Sequence, residues 1–553
     1  MGENHSFSNQ TLITETDRMK FRELDSFLNN YDDSQKKAII SDSRNILCIA
    51  GAGSGKTSVL VKKIDFLTNY KSVDPSKILA ITFTRKAKQE MESRLEALNI
   101  KTNVHTFNSF SERILRKYQH KIYNKNTMVL DYSGKVFSFS FAIQSLNLTI
   151  DSVIDLYFTD KQKILKTKEE LSSILINDCF SIIDFFKLKN KDLSSLSQDI
   201  HVENKKIAET ILTICKKLQE YIQVYGFRSF NDQILDTLEF FKNNPDYIPQ
   251  YDYIFVDEYQ DVNNSQSKIL DLLNPKNLFL VGDPRQSIFG WRGSDINLIL
   301  NYNKKYPDCE TVVLDKNYRS NNHLVNFMNH SIKDLSLRDL ESSINGEKNI
   351  FLSEHKSEED EINFITEKLS ELTLNKKRIF VLARTNRHLQ NISLVMKQKN
   401  IHHIIKREDD LTNTGGGNII ISTIHAIKGL ESDIVFIMGC NKQNFPCKSS
   451  DHPILDFIKL GEYNKEEEEK RLFYVGISRA KHSLYLSYSG KPTEFINEEM
   501  ISLLEEIPRK DKKDEIDKTS YQDEDFLERD FRRSETYTES KYKEDWEDMI
   551  SED

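Results

Sequence analysis

Short, continuously apolar runs recur along the chain and end in glycine, aspartate or threonine. Four of them are Asn45–Ala50, Ile78–Thr82, Tyr253–Val256 and Leu278–Val281. Runs of this length with no polar alternation predict strands buried on both faces of a parallel sheet. A second set repeats the pattern: Ile379–Ala383, Ile419–Ser422, Ile434–Met438 and Leu484–Ser487. Helical spacing fills the intervals, so the pattern predicts an α/β fold with two parallel-sheet units. Between about Phe110 and Pro249 the strand signals fade. There Leu171–Lys187 and Lys205–Tyr225 carry helical spacing, which predicts a mainly helical insertion inside the first unit.

Composition narrows the class. The chain has 553 residues, which at roughly 100–200 residues per domain fits several structural units. With 38% hydrophobic and 29% charged residues it is neither mostly disordered nor collagen-like. No apolar run approaches the ~18 residues of a membrane span, and the N-terminus is polar. A cytoplasmic or nucleoid-associated protein with no membrane partner is expected. The six cysteines, Cys48, Cys179, Cys215, Cys309, Cys440 and Cys447, form no CxxC pair. They read as reduced thiols, with no structural metal.

The formal charge of −9 argues at first against nucleic acid. It is unevenly spread, however. From Arg509 to Asp553 there are 17 acidic and 10 basic residues, a net of −7, so −9 less −7 leaves −2 for residues 1–508. The end of the chain reads as a disordered acidic tail. Its Phe526, Phe531, Tyr537, Tyr542 and Trp546 mark it as a candidate protein-partner segment, against the plainer reading of a solubilising tail.

Chemistry enters where the apolar runs end. Asn45–Ala50 leads into Gly51-Ala52-Gly53-Ser54-Gly55-Lys56-Thr57 and then a helical stretch. Ala50 stands where the strict P-loop has glycine. The glycines still let backbone N–H groups wrap phosphates at a helix N-terminus, with Lys56 reaching the β- and γ-phosphates and Thr57 holding Mg²⁺. The competing reading is an ordinary glycine-rich turn, which the strand before and the Lys-Thr-helix after disfavour. Tyr253–Val256 leads into Asp257-Glu258-Tyr259-Gln260-Asp261. An acidic pair at the end of a buried parallel strand lies at the ligand-binding edge of a sheet. There Asp257 is a candidate Mg²⁺ ligand and Glu258 a candidate base for the attacking water.

These residues resemble superfamily 1 helicases of the UvrD/Rep type. Asp257–Asp261 matches that family's DExQD motif, and Gly282-Asp283-Pro284-Arg285-Gln286-Ser287-Ile288-Phe289-Gly290-Trp291-Arg292-Gly293 matches GDxxQSIYxWRG. Further segments follow in the family's order. They are Gln35, 21 residues before Lys56; Thr82–Ala87; His105–Phe110; Asn317-Tyr318-Arg319-Ser320; Thr423–Glu431; and Glu469–Lys481. The resemblance implies two RecA-like lobes with ATP and Mg²⁺ between them. It implies Gln35 and Tyr318 at the adenine, Glu431 at the nucleotide or the lobe interface, and Gln286 and Gln260 linking the phosphate and DNA sides. Arg319 and Arg479 become arginine fingers whose loss should spare folding. Phe83, Phe107 and Trp291 become base-stacking residues, with core packing as the other reading for Trp291 and Phe107. Thr106, Arg292, Thr423 and His425 become strand contacts, although His425 has the alternative of capping a turn.

Departures from the pattern are Arg85 for Asn, Asn108 for His, and Ser432 where an aromatic is common. The largest is a shortening, since Arg319 and Thr423 stand 104 positions apart. That leaves no room for the family's helical 2B subdomain, and a polar loop near 407–417 is expected in its place. The resulting division is a flexible 1–20, a first lobe (1A) at 21–111 and 249–315, a 1B-like helical insertion at 112–248, a second lobe (2A) at 316–505, and the tail at 506–553. The function so implied is ATP-dependent 3′-to-5′ movement along single-stranded DNA and unwinding of 3′-tailed duplex DNA. The alternatives are a DNA-stimulated ATPase that displaces proteins, and a non-catalytic nucleic-acid scaffold.

Overall fold

Strand burial sets the architecture. A computed structural model describes residues 12–188, 193, 205–335, 337–372, 377–407, 418–447 and 464–506. In chain order its first strands are β1 (Asn45–Ala50), β2 (Ile78–Thr82), β3 (Asn103–Thr106), β4 (Met128–Val129), β5 (Phe227–Arg228), β6 (Tyr253–Val256), β7 (Asn277–Gly282) and β8 (Glu310–Leu314). Six of these form one sheet in the order β3-β2-β6-β7-β1-β8, with every neighbour parallel. The four apolar runs of the first set are the four inner strands of this sheet. The edges, β3 and β8, start on polar residues and carry a weaker signal.

The remaining strands are β9 (Lys316–Asn321), β10 (Glu341–Ile344), β11 (Ile350–His355), β12 (Ile379–Ala383), β13 (Ile404–Lys406), β14 (Ile419–Thr423), β15 (Ser432–Ile437) and β16 (Ala480–Ser489). They build a second six-stranded parallel sheet, β11-β16-β15-β12-β14-β13, and a separate pair, β10-β9. The second set of apolar runs again supplies the inner strands. Burial on both faces demands continuous apolar sequence, so inner strands announce themselves and edges do not.

The segment between β3 and β6 is mainly helical. Helices Tyr132–Ser145, Ile150–Tyr157, Lys168–Leu188 and Lys205–Tyr225 share a core around Phe139, Ile176, Cys179, Phe180 and Cys215. β4 and β5 form a small parallel pair beside it. Helix Phe107–Lys117 begins before position 112 and runs through it, so the boundary expected between 111 and 112 falls inside a helix.

Ala52 of the phosphate loop, with Ile288 and Phe289, packs into the same core as Phe473, Tyr474 and Ile424 of the second sheet. All six cysteines are free. Among the described residues no helix is long and apolar enough to cross a membrane. The loop expected to replace 2B, beyond Arg407, and the acidic tail beyond Glu506 lie outside the described residues, as do residues 1–11.

Candidate nucleotide and nucleic-acid site

The candidate residues of the first sheet gather at the C-terminal ends of its parallel strands, where open α/β sheets bind ligands. β1 opens into the glycine loop, and helix Lys56–Asp65 follows it. Gly53 and Gly55 have φ of +69° and +80°, which glycine adopts without strain. Gly53 has a second reason to be small, because a Cβ there would lie 2.7 Å from Cβ of Arg319. Ser54 Oγ donates to Gly51 O at 2.8 Å. Lys56 Nζ donates to the carbonyls of Ala50 (2.8 Å) and Gly51 (3.0 Å). Its ammonium is held below the ordinary lysine value, first by burial and also by the nearby Arg319 charge.

Thr57 Oγ1 stands 3.5 Å from Asp257 Oδ2. Burial, and then the charge of Glu258, push the Asp257 carboxyl up. Burial opposes ionisation of Glu258 too. There Lys428, Lys56, the Gln260 amide and Arg479 outweigh it, and the carboxyl is held below its usual range. A buried carboxylate facing a threonine hydroxyl is a pair of hard oxygen donors, so the residues fit a divalent cation. Glu258 sits at φ 52°, in the left-handed region. That conformation costs on the order of 1–3 kcal/mol, and such strain clusters at functional sites.

From this pair a buried relay runs toward the second sheet. Gln260 Nε2 donates to Glu258, and Gln260 Oε1 accepts the Asp283 N–H at 2.9 Å. Gln286 Nε2 donates to Asp283 Oδ2 at 2.8 Å. Gln286 Oε1 accepts from Arg479 Nη2 at 3.2 Å. Arg479 is 1% exposed, and it also donates to Val475 O, Leu430 O and Ser478 Oγ. Arg319 instead donates to Glu431 Oε2 (2.6 Å) and Ser478 O (3.1 Å). Glu431 is shared with Lys481 at 2.5 Å, so here it serves the interface between β9 and the second sheet. Tyr318 is 41% exposed. Gln35 is buried, with its amide spent on Ser54 O and on the N–H of Asp32.

A row of aromatics lies beside the relay. Phe83 stacks on Phe289 at 5.4 Å with 20° between the rings. His425 meets Trp291 edge-on at 6.3 Å. The Arg292 guanidinium lies 4.4 Å from the Trp291 ring centre. Trp291 is 42% exposed, which removes the core-packing reading. Burial, and then Arg384, Arg292 and Lys428, push the His425 imidazole down to about 3, so the ring is neutral. Thr423 Oγ1 accepts the Ala426 N–H at 3.4 Å, closing the turn after β14.

Phe107 requires a correction. It is 3% exposed and packs with Phe110, Ile114 and Ile254, so it has no free face for a base. Thr106 is also taken up locally, as the N-cap of helix Phe107–Lys117. Among the departures from the family pattern, Asn108 donates to Phe230 O and Gln233 Oε1, which ties this helix to helix Phe230–Asn243 at the exit of the insertion.

Several residues that sequence reasoning left without a role join the two sheets. Lys428 Nζ reaches the Asp261 carboxylate and Gln286 O. Arg471 Nε donates to Ser287 O, and Glu468 Oε2 accepts the Gly290 N–H. Within the second sheet's own unit, Arg384 makes a forked pair with Glu469. Phe289 is the buried spacer beneath the aromatic row, with the Lys428 ammonium 5.0 Å from its ring centre. Asp261 is fully buried, and burial lifts its carboxyl to about 7 even though Lys428 opposes this. Lys428→Met should therefore leave a stranded acid and lower stability by about 3–5 kcal/mol, the usual cost of removing one partner of a buried pair. Urea unfolding checks this. The double change with Asp261→Asn should recover most of the loss, and equal instability of both variants would reject the pairing as the cause.

Two parallel sheets that close on one phosphate-binding loop make this a two-lobed, RecA-like P-loop protein. Comparison with known proteins narrows the class. Residues 31–307 match the UvrD/REP helicase N-terminal domain, and residues 312–413 and 405–491 match the UvrD-like helicase C-terminal domain. The chain belongs to the UvrD/REP helicase family. It is 28% identical over 482 residues to a probable DNA helicase of Mycoplasma pneumoniae, covering 83% of each chain. It is 31% identical over 395 residues to a probable DNA helicase II homolog of Mycoplasma capricolum, and 32% over 398 residues to the ATP-dependent DNA helicase PcrA of Leuconostoc citreum. Those two matches take in 68% of this chain but 52% and 50% of the relatives, so the chain spans about half their length.

Proposed function

We propose that the chain is an ATP-driven motor that moves 3′-to-5′ along single-stranded DNA and separates a 3′-tailed duplex. The observation that carries this reading is the relay from Glu258 through Gln260, Asp283 and Gln286 to Arg479, with Lys428 tying Asp261 and Gln286 to the aromatic row. A change at the phosphate loop can be felt at Trp291 through packed, hydrogen-bonded side chains. The relatives named as ATP-dependent DNA helicases support the same reading.

In this mechanism Lys56 leaves the Ala50 and Gly51 carbonyls for the β- and γ-phosphates. Thr57 and Asp257 would hold Mg²⁺, which neutralises phosphate charge when bound. Glu258 orients the attacking water. Arg319 exchanges Glu431 for the γ-phosphate, and Arg479 acts beside it on the developing charge. Each cation already has a protein partner, so the nucleotide replaces contacts and does not pair bare charges. Phe83 and Trp291 offer faces to bases of any sequence, at about 1–3 kcal/mol per base. Trp291→Ala should weaken DNA stimulation of the ATPase about tenfold or more by that measure, while basal turnover persists. Unchanged stimulation would reject Trp291 as a track residue.

The shortened stretch between Arg319 and Thr423 belongs to the same proposal: a motor without the 2B subdomain, its lobes divided as the sequence suggests. Strand displacement on 3′-tailed and 5′-tailed duplexes, with ATPase followed in parallel, tests the whole reading. Displacement from the 3′ tail supports it, and displacement from the 5′ tail alone reverses the polarity. DNA-stimulated ATPase without displacement favours protein removal, and ATPase that ignores DNA sinks the motor.

A further inference from the structure

Tyr318 is held at both ends. Its backbone N–H donates to Gly53 O at 2.9 Å, and next to it Asn317 Nδ2 donates to Ala52 O at 2.7 Å. Its hydroxyl donates to Asp32 Oδ2 at 2.6 Å, although 286 residues separate the two. An O–H···O⁻ contact of this length is a charge-assisted bond, stronger than a neutral one.

Asp32 divides its carboxylate. Oδ1 accepts the Gln35 N–H at 2.9 Å and so caps helix Asp33–Ile40, while Oδ2 takes the phenol. The Asp32 N–H donates to Gln35 Oε1, and Gln35 Nε2 donates to Ser54 O, both at 3.0 Å. The hydrogen bonds close a circuit: from Ser54 of the glycine loop through Gln35, Asp32 and Tyr318, and back to the same loop at Gly53. The Tyr318 ring spans this circuit with 41% of the residue exposed. A ring so fixed has little rotational freedom left to lose when a flat ligand lies on it.

We propose that Asp32 is a positioning residue that pins the Tyr318 ring as a preformed platform for the nucleobase. The inference rests on the ATP-motor reading and adds a residue outside the phosphate-binding motifs to it. Asp32 touches no phosphate. It acts through Tyr318 on the base, so it sets affinity for nucleosides and leaves affinity for bare phosphate chains alone.

The test uses Asp32→Ser, Asp32→Asn, Tyr318→Phe and the Ser/Phe double variant in the full chain. Serine keeps the helix cap and removes the second oxygen, whereas asparagine keeps the cap and can still donate to the phenol oxygen. Asp32→Ser and Tyr318→Phe should each raise KM for ATP about 3- to 10-fold, only part of the worth of the lost bond, because that bond orients the ring and does not itself touch the ligand. kcat with saturating single-stranded DNA should hold in Asp32→Ser, and KM in the double variant should be no worse than in either single one. Asp32→Asn should restore much of the affinity. Inhibition by inorganic tripolyphosphate, which has no base, should match the unmodified chain in every variant. Additive losses, parallel weakening of tripolyphosphate, or an unchanged KM in Tyr318→Phe would each overturn the proposal. Absence of turnover in the unmodified chain would defeat the motor reading alone. Equilibrium binding of ATP and tripolyphosphate to the same variants then decides the platform.

Discussion

Lys56→Ala is expected to abolish ATP turnover while binding of single-stranded DNA persists. Lys56 is the one cation on the glycine loop itself, and it is half-buried against the carbonyls at the end of β1. Removing a preorganised charge from a site of low dielectric costs about 10²–10³ in rate for a single donor, and a full positive charge at two phosphates sets the upper end or beyond. The fold should tolerate the change. The Gly51 carbonyl keeps the Ser54 N–H and hydroxyl, and the Lys56 ammonium is itself disfavoured by burial. Steady-state ATPase and DNA-binding titrations check this together. A variant that still hydrolyses ATP at the parent rate would remove the phosphate-site assignment.

Arg319→Ala should lower turnover by about 10³–10⁵, the range found when an arginine finger is lost, with little change in stability. Its present partner, Glu431, is 39% exposed, so that pair contributes about 0–1 kcal/mol, and the Arg319 side chain, 15% exposed, adds one hydrogen bond to Ser478 O, against several such contacts at Arg479. Arg479 differs, although the motifs give the two arginines equivalent roles. It is buried, and it satisfies carbonyls of Val475 and Leu430. Arg479→Ala should therefore reduce turnover and also destabilise the protein, at about 1–3 kcal/mol for each buried acceptor left unpaired. ATPase with thermal unfolding separates the two arginines, and equal melting of both variants would contradict the distinction. The expectation that either finger could be lost with folding intact is therefore withdrawn for Arg479, which is buried among the carbonyls it satisfies.

Much of the fold was legible because inner strands of a parallel sheet leave an unmistakable local mark. Ile78–Ile81 and Ile379–Ala383 are apolar throughout and buried throughout. The edge strand Asn103–Thr106, half of it partly exposed, carries no such signal. Side-chain direction was less legible. Phe107 and Trp291 both stood in motifs as base-stacking candidates. Phe107 is the first residue of a helix whose phase turns it into the core, whereas Trp291 rides a short 3₁₀ turn that faces it outward. Sequence spacing places a residue at the end of an element, but packing decides which way it points.

The sequence by itself determined the inner strands, the glycine loop between β1 and its helix, and the acidic pair after β6. These depend on near neighbours: apolar continuity, a few glycines and a fixed spacing to Lys56 and Asp257. The tertiary structure decided which charges meet. Lys428 and Asp261 are 167 residues apart, Arg319 and Glu431 112, and Tyr318 and Asp32 286. Coulomb and hydrogen-bond energies depend on distance through space, which falls steeply only when two sheets close on one loop. Chain position carries no trace of that closure.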